Sequence, residues 1–166
     1  MKNKKILHLV YGAIIAALYA AATVIISPLS YGAVQFRFSE VLTVLAVFTP
    51  AAVPGLTVGC AIANIGSSLG IWDIIFGSLA TLLSAIAARK LRLVTFKGLP
   101  LLSIIMPVIF NAIIIGAELT VIFPTDAAKL TTFAIYALQV GTGELAVCLL
   151  GGIPLYYAVK KTKLFK

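Results

Sequence analysis

The sequence predicts an all-α integral membrane protein with six transmembrane helices, both termini cytoplasmic and a ligand pocket that faces outward. Three observations predict it. The 166-residue chain is 61% hydrophobic and only 11% charged, whereas roughly a quarter of a soluble domain is charged. Its mean hydropathy of +1.12 comes from repeated apolar stretches of about 20 residues, the length of a membrane-crossing helix. Its cations are also sorted: eleven of thirteen Lys and Arg lie in the N-terminal segment, between Arg89 and Lys97, or in the tail from Lys160. The formal charge of +8 therefore follows membrane topology and does not indicate a nucleic-acid partner. The whole chain, 1–166, reads as one transmembrane domain.

Helix 1 is expected from Ile6 to Ile26, ending before Ser27-Pro28. The basic start at Lys2, Lys4 and Lys5 resembles a signal peptide, but the apolar run is long and lacks a small-x-small cleavage site, so it reads as a retained helix. Helix 2 begins near Phe36 or Ser39 and continues to Thr49. Val41 to Ala63 is one unbroken apolar stretch, yet Pro50, Pro54 and Gly55 argue for a turn inside it. Charge decides the same way: two helices, the second running from Ala52 to Ser68, keep Arg89, Lys90, Arg92 and Lys97 on the cytoplasmic side with the N-terminus. Helix 4 runs from Trp72 to Ala88, helix 5 from Leu99 to Ile122 around Pro107, and helix 6 from Leu130 to Val159, bent near Pro154.

All five acids, Glu40, Asp73, Glu118, Asp126 and Glu144, fall on the outer half of this topology. Asp126 and Lys129 read as solvated loop residues. Glu118 and Glu144 stand within apolar helices, where an ionisable group faces a partner or a cavity. Asn64 and Asn111 serve either as ligand contacts or as interhelical hydrogen-bond partners. Gln35, Arg37, Ser67, Ser68, Trp72 and Gln139 fall on the same half. Trp72 either stacks on a planar ligand or anchors the helix end at the interface. Arg37 and Glu40, three apart, are expected to pair with each other on a helical start and to order the 30–40 segment over the pocket when ligand binds. Helices 2 and 3 are short for a ~30 Å hydrocarbon core, which suggests a pocket opening outward.

Other chemistry finds no pattern. Cys60 and Cys148 lack ligand-spaced neighbours and read as packing residues. Gly141-Thr-Gly143 lacks the Lys-Ser/Thr partner of a phosphate loop. No metal cluster or nucleophile–base pair appears, so no cofactor and no enzyme are expected.

Gln35-Phe-Arg-Phe-Ser-Glu40, with the following Val41-Leu-Thr-Val-Leu45, resembles the hallmark of the QueT family of queuosine-precursor transporters. Gly55-Leu-Thr-Val-Gly-Cys-Ala-Ile-Ala-Asn64 and Trp72-Asp-Ile-Ile-Phe-Gly-Ser-Leu-Ala-Thr-Leu-Leu83 resemble the same family, and the likeness weakens from Leu99 onward. The resemblance implies the S component of an energy-coupling-factor transporter, working with a transmembrane coupling protein and two cytoplasmic ATPases. It implies 7-aminomethyl-7-deazaguanine or a close relative as ligand, for which Arg37, Glu40, Asn64, Trp72, Asp73, Asn111, Glu118, Gln139 and Glu144 are the candidate contacts. Gly12, Ala16 and Ala20 form one small-residue stripe on helix 1 and Ala13, Ala17 and Ala21 the next. Ala-x-x-x-Ala there resembles the S-component docking motif. The competing class is a stand-alone ion-coupled transporter using Glu144 or Glu118 as a proton site.

Overall fold

Apolar side chains cover the outside of this bundle, and many polar ones are buried inside it beside the apolar core. Leu9, Leu18, Ile25, Ile75, Ile113, Val121, Leu138 and Leu150 are all exposed, while Thr23, Arg37, Ser39, Glu40, Asn64, Asp73, Asn111, Glu118 and Glu144 are buried. That inversion suits a chain whose outer solvent is hydrocarbon and whose polar groups must find partners inside. The computed structural model describes residues 2–26, 37–162 and 165.

Six helical segments follow one another among the described residues: α1 Lys2–Ile25, α2 Phe38–Phe48, α3 Ala52–Asn64, α4 Ile71–Lys90, α5 Leu101–Ile122 and α6 Lys129–Thr162. Four of them, α1, α4, α5 and α6, are long and apolar enough to cross a membrane; α2 and α3 are shorter apolar helices. The 13 residues of α3 reach only about 20 Å. The chain folds back on itself so that α1 packs on α3, α3 on α4, α4 on α5 and α5 on α6.

The turn expected near Pro50 falls at Thr49–Ala51. Thr49 is extended (φ −134°, ψ 137°) and its hydroxyl accepts the Ala51 N–H at 3.3 Å. Pro54 then stands in the first turn of α3, where its missing N–H costs nothing. Helix 2 departs from expectation in kind. Its first part, Phe38–Val44, is a 3-10 helix, and only Leu45–Phe48 is α-helical. In the tighter coil residues three apart eclipse, which sets Thr43 directly over Glu40. This 3-10 segment touches all five of the other helices.

The bend expected at Pro154 is a π-helical turn, Cys148–Gly152, just before it. Proline at 154 removes a hydrogen bond, and the wider turn absorbs the mismatch. A Cβ on Gly151 would lie 2.5 Å from Val41 Cγ2, so a glycine here lets α6 close on α2.

The basic segments share one end of the bundle. Phe48 packs on Tyr156 with ring centroids 5.4 Å apart and Tyr11 on Phe165 at 5.1 Å, joining the start of α1 and the ends of α2 and α6. Tyr156 Oη donates to Gly98 O at 3.2 Å, which brings in the loop after α4. Arg89 donates from Nη1 to Ala46 O at 3.2 Å and Val47 O at 3.0 Å. A cation thereby caps the carbonyl end of α2, where the helix dipole favours positive charge.

Glycine also makes possible the close backbone approach of α1 and α3. Gly55 and Gly59, four apart, lie against Gly12 and Ala16, the small-x-x-x-small geometry of membrane helix pairs. A Cβ on Gly59 would stand 2.7 Å from Ala16 O and 2.8 Å from Tyr19 Cβ. Gly59→Ala is therefore expected to destabilise the purified protein by roughly 1–3 kcal/mol in an unfolding titration. Gly66→Ala, whose Cβ meets nothing nearer than 3.7 Å, is the control that leaves stability nearly unchanged.

Candidate functional site

Arg37 is fully buried, 1% exposed, at the entry to α2. A guanidinium in such a place must face carboxylates, and three helices supply them. Asp73 from the first turn of α4 comes within 3.6 Å of Nη2. Glu118 of α5 and Glu144 of α6 lie within electrostatic reach of the same group.

Neighbouring residues shape the space around this charge. Asn64, the last residue of α3, donates Nδ2 to Asp73 O at 2.7 Å and so ties α3 to α4 next to the ion pair. Ser67 donates to Asp73 Oδ2. Gly77, one turn beyond Asp73, leaves room for both partners: a Cβ there would sit 2.5 Å from Asn64 Nδ2 and 3.1 Å from Arg37 Nη1. On the other side Asn111 Nδ2 reaches Glu144 Oε1 at 3.4 Å, linking α5 to α6.

The polar atoms here outnumber their partners. Among the described residues, all three guanidinium nitrogens of Arg37, Asp73 Oδ1, Asn111 Oδ1 and both carboxyl oxygens of Glu118 are buried without a hydrogen bond of good geometry. A native interior leaves few such atoms, and here seven of them belong to four residues: Arg37 just before α2, Asp73 on α4, and Asn111 and Glu118 on α5. A concentration of this kind is what a small polar solute with several donors and acceptors would satisfy.

Glu40 is different. The expected Arg37–Glu40 pair is not made: Arg37 turns to Asp73, while Glu40 is held by three hydroxyls. Tyr19 Oη donates to Oε1 at 2.5 Å, Thr81 Oγ1 to the same oxygen at 2.8 Å and Thr43 Oγ1 to Oε2 at 2.9 Å. The reason is local geometry. Arg37, with φ −81° and ψ 85°, precedes the helix, so the two residues do not share a helical face. Thr23 Oγ1 adds a bond to Ser39 Oγ at 2.8 Å. Glu40 thus fastens α2 to α1 and α4 beside the cluster.

Other expected residues go elsewhere. Trp72 is 48% exposed and stacks on Phe76 at 5.8 Å, so it faces outward while Asp73 turns in. Phe38 is also exposed. Gln139 is half-buried, and five residues of helix turn it about 140° away from Glu144. Gln35 and Phe36, with the rest of 27–36, lie outside the described residues, as does most of the segment expected to order over the pocket. On α1, Gly12 and Ala16 are buried and Ala20 half-buried, whereas Ala13, Ala17 and Ala21 are exposed. Tyr19, Thr81 and Thr43 are partners that sequence reasoning missed, while Ser67, expected on the same half as the acids, reaches Asp73. Only Thr43, three residues after a buried acid, carried a local signal.

Because Tyr19 and Thr81 donate to one oxygen, removing either should cost about 1.5–3 kcal/mol and the losses should not add. Unfolding of Tyr19→Phe, Thr81→Val and the double variant measures this. A strictly additive double variant would mean that the two hydroxyls do not share Glu40.

The profile of the family described as QueT transporter matches residues 9–161. Over 84 residues the chain is 42% identical to a protein of Lactococcus lactis subsp. cremoris (strain MG1363) named "Queuosine precursor transporter QueT". That match spans 49% of this chain and 49% of the relative, about half the length of each. No solved structure matches. With its profile matched over most of its length, the chain belongs to the QueT transporter family, a family of transporters and not of enzymes.

Proposed function

We propose that this chain takes up a queuosine precursor, as the name of its Lactococcus relative suggests, and that it does so as the S component of an energy-coupling-factor transporter. The reading makes it a six-span protein of the cell membrane, with its basic end and both termini in the cytoplasm and its ligand site reached from outside. The observation that carries it is the buried cluster of Arg37, Asp73, Asn111 and Glu118 with its unpartnered polar atoms.

The chemistry suits 7-aminomethyl-7-deazaguanine. A guanine edge offers paired N–H donors that one carboxylate accepts, and Glu118 has both oxygens free to do so. The carbonyl oxygen of the ring needs a donor, which Arg37 provides. One guanidinium stands among the carboxyls of Asp73, Glu118 and Glu144, an excess of acid that favours a ligand bearing its own positive charge. The aminomethyl group is such a charge. Glu40, already held by three donors, orders the wall of the site and does not contact the ligand.

In the same reading, a coupling protein and two ATPases supply the energy. Their contact on α1 falls on the Ala13–Ala17–Ala21 stripe, because Gly12 and Ala16 are turned to α3. An apolar groove of about 270 Å³ between α1 and α3, lined by His8, Leu9, Ala13, Pro54 and Val58 among others, runs beside that stripe.

Calorimetry with the deazaguanine tests the site. Glu144→Gln and Glu118→Gln should each weaken binding by roughly 10- to 100-fold, about 1.5–3 kcal/mol, with Glu144→Ala weaker still. Binding at wild-type strength by all three would move the ligand away from this cluster. For the docking stripe, Ala17→Trp should bind ligand normally yet fail to assemble with the coupling module and to support uptake. Normal assembly and uptake by that variant would remove the stripe from the interface.

A further inference from the structure

The connection between α4 and α5 is a built structure that turns apolar side chains outward. Phe96 and Leu99 exchange both backbone hydrogen bonds, at 2.9 and 3.0 Å. The two residues between them, Lys97 and Gly98, have positive φ of 49° and 80°, the geometry of a tight two-residue hairpin turn. Tyr156 Oη holds the turn from α6 through Gly98 O. On this fixed frame Leu93 is 82% exposed, Phe96 68% and Val94 51%. Arg92 and Lys97 flank them, with Lys97 Nζ 5.7 Å from the centre of the Phe96 ring.

Bulky apolar side chains held outward by an ordered turn need a covering other than water. Their position supplies one. The turn joins two helices that are long and apolar enough to cross a membrane, so it leaves the hydrocarbon at the level of the lipid headgroups. Cations interleaved with apolar side chains are the pattern of a segment lying in that layer, where basic groups meet anionic headgroups and apolar ones enter the acyl boundary. The remainder of this end strengthens the field, since Lys4, Lys5, Lys160 and Lys161 lie on it too and all five acids of the chain lie outside these basic segments.

We infer that the 91–99 turn is an interfacial anchor that inserts Leu93, Val94 and Phe96 among anionic lipid headgroups, with Arg92 and Lys97 contacting the phosphates. It fixes how deep the α4–α5 pair sits and makes the protein sensitive to the anionic lipid content of that leaflet. This contact is independent of which solute the buried cluster holds.

A tryptophan reporter tests it. Trp72 is the chain's one tryptophan, so Trp72→Phe with Phe96→Trp places a single indole at the turn. The purified variant is reconstituted in vesicles of phosphatidylcholine alone or with phosphatidylglycerol added. The anchor predicts blue-shifted emission and quenching by brominated acyl chains that rises about two-fold or more with the anionic lipid. Adding Arg92→Gln and Lys97→Gln should abolish that rise. Ready quenching by aqueous iodide, or identical quenching by brominated lipid in both vesicle types, would overturn the proposal. Shielding that appears only when the coupling protein is added would overturn it too, and assign the turn to a protein contact.

Discussion

The constraint on which this structure depends is one guanidinium buried inside a bundle whose outer surface is apolar. Arg37 cannot be left unpaired there, and no single helix could satisfy it. The fold answers by drawing Asp73 in from α4, Glu118 from α5 and Glu144 from α6. Asn64 at the end of α3 and the missing side chain of Gly77 complete the space around the charge. Five helices therefore converge because of one side chain, and they converge on more polar atoms than they mutually satisfy. Stability alone gives no reason to retain such a surplus, since apolar replacement of buried ionic groups is often neutral or favourable. Binding a solute gives one.

The segment that delivers Arg37 is itself held unusually firmly. The 3-10 helix Phe38–Val44 has a weaker internal ladder than an α-helix, and its stability comes from outside. Three hydroxyls fix Glu40, Thr23 fixes Ser39, and Arg89 caps the far end at Ala46 and Val47. Gly151 lets α6 lie against Val41. A short central element clamped at both ends can carry a charged residue at a set position without spanning a full bilayer. Tyr19 is the link between this clamp and α1, whose outer stripe is the proposed docking face. The same helix thus touches the wall of the proposed ligand site on one side and the proposed interface on the other.

Much of this was readable from residues alone, for physical reasons that can be named. Proline and charge placed the turn between α2 and α3, because neither Pro50 nor the Arg89–Lys97 cations fit a single continuous span. Lone polar groups in apolar helices marked Asn64, Asn111, Glu118 and Glu144, and all four are buried, Asn64 against Asp73 and Asn111 against Glu144. What was not readable depended on backbone form and tertiary position. The three-residue spacing of Arg37 and Glu40 suits a helical pair, but the helix starts one residue too late for it. Trp72 and Asp73 are sequence neighbours that a helix points about 100° apart, and only packing decides which of them turns in. Tyr19 is an ordinary aromatic in an alanine-rich helix until Glu40 is placed beside it. Gly55 reads as a turn signal; only the packed helices show it, with Gly59, as the surface that lets Gly12 and Ala16 turn inward on α3.

The most direct test of the central claim is mass spectrometry of the small molecule retained by the protein after purification from cells supplied with queuosine precursors. If the cluster around Arg37 is the ligand site, the wild-type protein should carry a deazaguanine of the mass of 7-aminomethyl-7-deazaguanine or a close relative. Folded Glu118→Gln and Arg37→Ala should carry little or none. A deazaguanine retained equally by all three proteins would place its site elsewhere, and the unpartnered atoms of the cluster would then require another explanation.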